Sequence, residues 1–308
     1  MKPGSTSVYP APPMTRRVLS VIHDPRLPGR ADKLSRAQGW NDPDELAARF
    51  ITDVRDCSFG RAVYQITERI EVDGFPVKAD GFVYEPKDYL ARMGGKKAFH
   101  QPDGVDYRRL LDEFDVLRRV REGEIDEVWL FGFPYAGFYE SIMAGPSAFW
   151  CNAPPLEGTG AAERRFVVMG FNYERGVGEM LEDLGHRAES ILARVFAGRG
   201  EYDLFERFTR HEARDPGMAE VGTIHFAPNS ERDYDWGNAK RVPSRCHTWY
   251  DYPDLEGEPR LVECSEWGGG DIRLHHLWWF RHFPHFEGSS GDVLNDWWSY
   301  VIDPNHVP

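Results

Sequence analysis

The chain has 308 residues, 41% of them hydrophobic and 14% aromatic, so it can bury a substantial core and lacks the composition of a disordered protein. Its 37 Lys and Arg against 50 Asp and Glu give a net charge of −13, which argues against nucleic-acid and anionic-membrane partners. A metal cation, or a neutral or cationic substrate, suits this balance better.

The N-terminal segment and the cysteines predict a soluble, cytoplasmic protein. Residues 1–15 are rich in Pro, Ser and Thr and lack the apolar stretch of a secretory signal, so we expect a flexible tail there. No apolar run approaches the ~20 residues of a transmembrane helix. The four cysteines, Cys57, Cys151, Cys246 and Cys264, are widely spaced, which favours reduced thiols. A Cys246–Cys264 disulfide in an exported protein is the alternative.

Strand and helix patterns alternate along the first two-thirds of the chain. Apolar or alternating runs predict strands over 17–23, 62–72, 126–132 and 165–172. Capped, amphipathic runs predict helices over 41–54, 106–120 and 174–196. This order is typical of an α/β layered domain with a mixed or mostly parallel sheet, with α+β as the alternative. We therefore expect a sheet domain over residues 16–198.

The composition changes after about Gly198. Seven of the ten Trp and eight of the eleven His lie beyond residue 205, among stretches rich in turn-forming residues. We expect an irregular, Trp- and His-rich C-terminal region over 199–308, packed on the sheet domain as one cooperative unit.

One helix-length segment, residues 174–196, carries most of the candidate chemistry. On a helical wheel it has an apolar stripe and, almost opposite, four polar side chains: Glu179, Glu182, His186 and Glu189. Such a helix ordinarily has a core face and a solvated face. Two details favour a covered face here. The carboxylates repel one another with little compensating charge, and Gly178 and Gly185 beside them leave room for a ligand or another backbone.

The same helix predicts a metal site. Residues four apart share a helical face, so Glu182 and His186 can bind one ion. Asp183 stands where a general base would polarise a metal-bound water, and Glu179 and Glu189 are further catalytic candidates. The segment Glu182-Asp183-Leu184-Gly185-His186 resembles the HExxH helix of zincin metallopeptidases, with Glu replacing the first His and Asp replacing the Glu. The resemblance implies a divalent metal, with zinc favoured, and a third ligand from a later segment, for which His225 is the best candidate.

Candidate substrate-binding residues follow two predicted strands or lie in C-terminal loops. In open α/β sheets, sites form beyond the carboxyl ends of strands. Turn-rich and glycine-rich loops in the C-terminal third add further acids and a tryptophan. The set comprises Tyr135, Tyr139, Glu140, Asn172, Glu174, Asp233, Trp236, Glu266 and Asp271.

These patterns predict a metal-dependent hydrolase, peptidase- or amidase-like, that acts on a small molecule, a peptide or a glycan. One alternative is a carbohydrate-active enzyme with Trp platforms and paired carboxylates, either Glu174 with Glu179 or Glu266 with Asp271. Another is a non-catalytic binding module whose aromatic loops form a recognition surface. The sequence identifies neither the substrate nor the oligomeric state.

Overall fold

The computed structural model describes residues 10–29, 32–200 and 203–308, which divide into two compact units. The sheet unit consists of Arg16–Thr52 and Tyr64–Arg187. The aromatic unit consists of Asp53–Val63, Ala188–Pro308 and the described part of Met1–Thr15. Most of the predicted flexible tail, residues 1–9, lies outside the described residues. The predicted domain bounds at residues 16 and 198 stay a prediction.

The sheet unit contains a five-stranded, mostly parallel sheet, which confirms the predicted α/β class. Its strands are β1 (Met14–His23), β2 (Ala62–Val72), β3 (Glu127–Gly132), β4 (Ser141–Ala144) and β5 (Phe166–Asn172). Their order is β2-β1-β3-β5-β4. The β1–β3 and β3–β5 pairs are parallel, whereas β4 pairs antiparallel with β5 at the sheet edge.

Within the described ranges, six α-helices accompany these strands. They are α1 (Leu34–Gln38), α2 (Pro43–Cys57), α3 (Pro86–Met93), α4 (Tyr107–Glu113), α5 (Val116–Arg121) and α6 (Val177–Phe196). The single helix expected over 106–120 is wrong, because α4 ends before Asp115, which adopts a left-handed backbone conformation (φ 50°). Apolar periodicity continues through this break, so the pattern alone does not reveal it.

Strand β3 shows why the sheet is buried on both faces. All six of its residues are buried. Val128 and Leu130 join an aliphatic core that includes residues of α4 and α5. Trp129 points to the opposite face, with its ring 5.3 Å from Phe50 and 5.7 Å from Phe171. A strand that is covered on both faces has a continuous apolar sequence, as is typical of parallel sheets.

The aromatic unit is built from short elements around tryptophans. They are α7 (Leu204–Phe208), β6 (Val242–Ser244), β7 (Arg260–Val262), α8 (Ile272–Arg281), β8 (His285–Ser290), β9 (Val293–Asp296) and α9 (Trp297–Ile302). The ring of Phe208 lies 5.0 Å from Trp249, 5.7 Å from Trp279 and 5.4 Å from Trp297. This unit confirms the predicted irregular, aromatic-rich character of the C-terminal third. Across the described residues, no helix combines the length and the apolarity needed to cross a membrane.

Candidate functional site

A cavity of about 240 Å³ lies in the sheet unit at the carboxyl ends of β3 and β5. Gly132, the last residue of β3, pairs in register with Asn172, the last residue of β5, so the segments that follow these strands start side by side. The first turns of α6 complete the wall. Five of the predicted site residues line this cavity: Tyr135, Glu140, Asn172, Glu179 and Asp183. The carboxyl ends of adjacent parallel strands therefore place these side chains together, as expected for an open α/β sheet.

Two carboxylates flank His186 beside this cavity. The Nε2 atom of His186 is 3.9 Å from Oε1 of Glu182 and 4.0 Å from Oε2 of Glu140. The Glu182 side chain is only 10% exposed, and Gly178 and Gly185 are buried. The polar stripe of α6 is thus covered at its centre, which is unlike an ordinary solvated helix face.

This group of atoms suits a divalent cation. Carboxylate oxygen and imidazole nitrogen are donors that Zn²⁺ accepts, and ligands about 2 Å from a tetrahedral ion are about 3.3 Å from one another. The His186–Glu182 and His186–Glu140 distances each exceed that spacing by less than about 1 Å. Glu140 also accepts a hydrogen bond from Nδ2 of Asn152, a contact of the kind that orients a ligating carboxylate.

Asp183 is partly buried, and part of its surface opens to the cavity. Its removal from water raises its pKa well above the ordinary value, and the negative charges of Glu140 and Glu182 raise it further. The Arg175 and His186 side chains oppose this effect. A carboxyl group in such surroundings holds a proton more readily than an exposed one, which is the property required for proton transfer near neutral pH.

The turn that carries Tyr135 into the cavity is held by a buried lysine. Lys78 is fully buried, and its Nζ donates to the backbone oxygens of Tyr135 at 2.7 Å and Ala136 at 3.0 Å. It also forms an ion pair of 2.7 Å with Asp103. Burial lowers the pKa of Lys78, whereas hydrogen bonding to Asp103 raises it. These contacts fix Tyr135, whose backbone is left-handed (φ 61°) and whose side chain is 47% exposed.

Glu179 has a local structural role in addition to lining the cavity. Its Oε2 accepts a hydrogen bond of 3.0 Å from the backbone N–H of Gly176, just before α6 begins. This contact resembles the reciprocal half of a capping box and satisfies a donor at the helix N-terminus.

Two further predicted residues, His225 and Glu189, belong to the aromatic unit. Nδ1 of His225 is 3.0 Å from Oδ1 of Asp233, and its Nε2 is 3.1 Å from the hydroxyl of Tyr234. A carboxylate on one ring nitrogen is the arrangement that commonly orients a ligating His. Glu189 accepts a 2.9 Å hydrogen bond from the backbone N–H of Ile224 and so holds the segment next to His225. The prediction that His225 binds a metal stays a prediction.

The other predicted residues have structural partners or lie outside the cavity lining. Tyr139 stacks on Tyr107, and Glu174 is exposed just after β5. Trp236 is buried and stacks against His275.

The last two predicted substrate-binding residues, Glu266 and Asp271, lie in and next to a glycine-rich loop of the aromatic unit. Glu266 forms a 2.8 Å hydrogen bond with Arg260, which lowers the pKa of its carboxyl. Asp271 caps α8 by accepting from the N–H of Leu274 at 2.8 Å. Both carboxylates therefore have structural partners in the fold.

The sequence assigned no role to two residues near the cavity, Lys78 and Arg175, and a different role to a third, Glu140. Lys78 and Arg175 carry no motif, because a single basic residue in a turn-rich stretch gives no signal. Glu140 was predicted to bind substrate, and its proximity to His186 depends on the loop before β4. The rule that sites form beyond strand ends indicated the region but not this contact.

Comparisons of the chain with protein-family models, with curated proteins and with solved structures gave no match.

Proposed function

We propose that the protein is a metal-dependent hydrolase that cleaves amide bonds, with Glu182 and His186 as metal ligands. The observation that carries this proposal is the placement of His186 Nε2 within 4.0 Å of two carboxylates, one of which is buried on the same helix face. A divalent cation would bind carboxylate oxygen and imidazole nitrogen together. Glu140 is the third donor that the sheet unit offers.

The surrounding residues supply the other requirements of amide hydrolysis. A bound divalent ion would activate water as a nucleophile. Asp183, with its raised pKa, would take a proton from that water and pass it to the leaving nitrogen. Asn172 and Tyr135 line the cavity, where they would orient the substrate. The oxygen of the water stays on the acyl carbon, the C–N bond breaks, and both water protons end on the amine.

Metal content and turnover test the proposal together. The purified chain is dialysed against Zn²⁺, Mn²⁺ or Co²⁺, and bound metal is measured by elemental analysis. We expect about one equivalent in the wild type, and a decrease of at least ten-fold in metal affinity for His186→Ala and Glu182→Ala. His100→Ala and Glu113→Ala are matched controls outside the cavity and should retain the metal. Hydrolysis of a panel of acylated amines should depend on the metal and be abolished by a chelator.

The same series identifies the third ligand. Loss of metal in Glu140→Ala but not in His225→Ala would assign Glu140, and the reverse result would support the sequence prediction for His225. Less than about a tenth of an equivalent in the supplemented wild type would overturn the metal site.

The tryptophans and paired acids of the C-terminal third do not favour the carbohydrate-active alternative. All seven tryptophans of the aromatic unit are buried, at 8% exposure or less, so none of them presents a face to a sugar. The carboxylates of Glu266 and Asp271 are paired with Arg260 and the N-terminus of α8.

A further inference from the structure

Among the described residues, Arg175 is the one cation that lines the candidate cavity. Its side chain is exposed, and within the part of the chain that the structure describes its guanidinium makes no hydrogen bond and no ion pair. An arginine left unpaired at the edge of a cavity is available to a ligand.

Among the described residues, none of the acids that line the cavity is ion-paired with this guanidinium. Three of them have other hydrogen-bond partners: Asp103 with Lys78 at 2.7 Å, Glu179 with the backbone of Gly176 at 3.0 Å, and Glu140 with Asn152. The fourth, Asp183, forms no hydrogen bond or ion pair with the guanidinium in the part of the chain that the structure describes. The guanidinium of Arg175 is therefore not held by any carboxylate of the lining and is available to a ligand.

Another part of the lining is aromatic. Phe133, Tyr135 and Phe138 contribute ring surfaces, and Tyr135 is the most exposed of the three. A guanidinium and aromatic rings in the lining of one cavity match a small ligand with a carboxylate and an apolar side chain.

We propose that Arg175 binds the free carboxylate of the substrate, which is an N-acylated amino acid or the C-terminal residue of a short peptide. This inference rests on the proposed amide hydrolysis, because it places the scissile amide one residue from the carboxylate. The guanidinium fork pairs with both carboxylate oxygens and so selects this end of the substrate. Hydrolysis adds water across the acyl–nitrogen bond and yields a carboxylate and a free amino acid. Arg175 acts in binding and takes no part in proton transfer.

The test compares N-acetylphenylalanine with N-acetylphenylalanine amide, with acetate release as the readout and the metal-loaded full chain as the enzyme. The wild type should prefer the free carboxylate by roughly 10- to 100-fold in kcat/KM, mainly through a lower KM. Arg175→Gln should lose this preference. Arg49→Gln removes a charge from the exposed surface of α2, outside the cavity. This control variant should retain the preference for the free carboxylate. Equal turnover of both compounds by the wild type, or an unchanged preference in Arg175→Gln, would overturn the inference while leaving the hydrolase intact.

A binding measurement separates the two proposals if neither compound is cleaved. Calorimetric titration with N-acetylphenylalanine then reports on Arg175 alone. At least ten-fold weaker binding by Arg175→Gln than by Arg49→Gln and the wild type would uphold carboxylate recognition without the hydrolase. No binding to the wild type, or equal binding by both variants, would refute it.

Discussion

The properties of Asp183 depend on its surroundings more than on its type. The same carboxyl group on an open helix face would be ionised at neutral pH and chemically unremarkable. Here burial is the largest cause of the raised pKa of Asp183, and the negative charges of Glu140 and Glu182 raise it further. The chemistry proposed for this cavity therefore depends on water being kept away from one side chain.

A pH series on Asp183→Asn measures this effect. Because the pKa in the folded protein is raised above the ordinary 3.8, the folded state holds the proton more tightly than the unfolded chain does. The wild type should therefore lose stability as the pH rises from about 4 through the raised pKa, a loss that the variant lacks. Across this range, we expect the free energy of unfolding of Asp183→Asn to increase relative to that of the wild type. Urea denaturation in a chelating buffer is the measurement.

The exposed Asp112 of α4 provides the control. Asp112→Asn should follow the wild type at every pH. Parallel curves for Asp183→Asn and the wild type would show that Asp183 is not perturbed by its surroundings.

At the level of elements, a buried ion pair anchors α6 to the sheet. Arg187 and Glu127 are both almost completely buried, and Nη1 of Arg187 is 2.8 Å from Oε1 of Glu127. Trp129 donates its indole N–H to the same oxygen at 2.8 Å. Because Arg187 directly follows His186, this contact fixes the rotation of the helix about its axis. It thereby sets the direction in which Glu182 and His186 point.

Removal of one partner of this pair should be costly. Arg187→Met leaves Glu127 buried without its cation, and we expect a loss of about 3–5 kcal/mol in the free energy of unfolding. The double variant Arg187→Met/Glu127→Gln should recover a large part of that loss, since no uncompensated charge remains. Urea denaturation of the two single variants and the double variant completes the cycle. Additive losses would mean that the two side chains do not depend on each other.

The elements that frame the site were predictable because they follow strong local patterns. The strand expected over 165–172 is β5, the strand expected over 126–132 is β3, and the helix expected over 174–196 contains α6. The contact between Glu140 and His186 was not predictable in this way. It joins residues distant in sequence through the conformation of the turn before β4, and turn geometry leaves little trace in hydrophobic periodicity. The neighbouring glycines were a weak indication in the sequence that Glu182 is buried.

At the scale of the whole molecule, the units do not correspond to successive parts of the chain. The aromatic unit includes Asp53–Val63 as well as Ala188–Pro308. Two ion pairs within that unit depend on the earlier segment. Arg61 binds the carboxylate of Asp296 and donates to the hydroxyl of Ser299 at 2.7 Å, and Arg273 binds Asp53 at 2.6 Å. A change of composition along the sequence, such as the one near Gly198, does not reveal this interleaving.

A fragment spanning residues 199–308 should therefore fail to fold. It retains the seven tryptophans but lacks Arg61, so the buried Asp296 would have no cation, and removing one member of a buried pair costs about 3–5 kcal/mol. That loss is a large fraction of the stability of a domain of this size. We expect tryptophan emission typical of solvent-exposed rings and no cooperative urea transition, in contrast to the full chain. A fragment with native-like near-UV circular dichroism and a sharp transition would instead support a C-terminal domain that begins near residue 199.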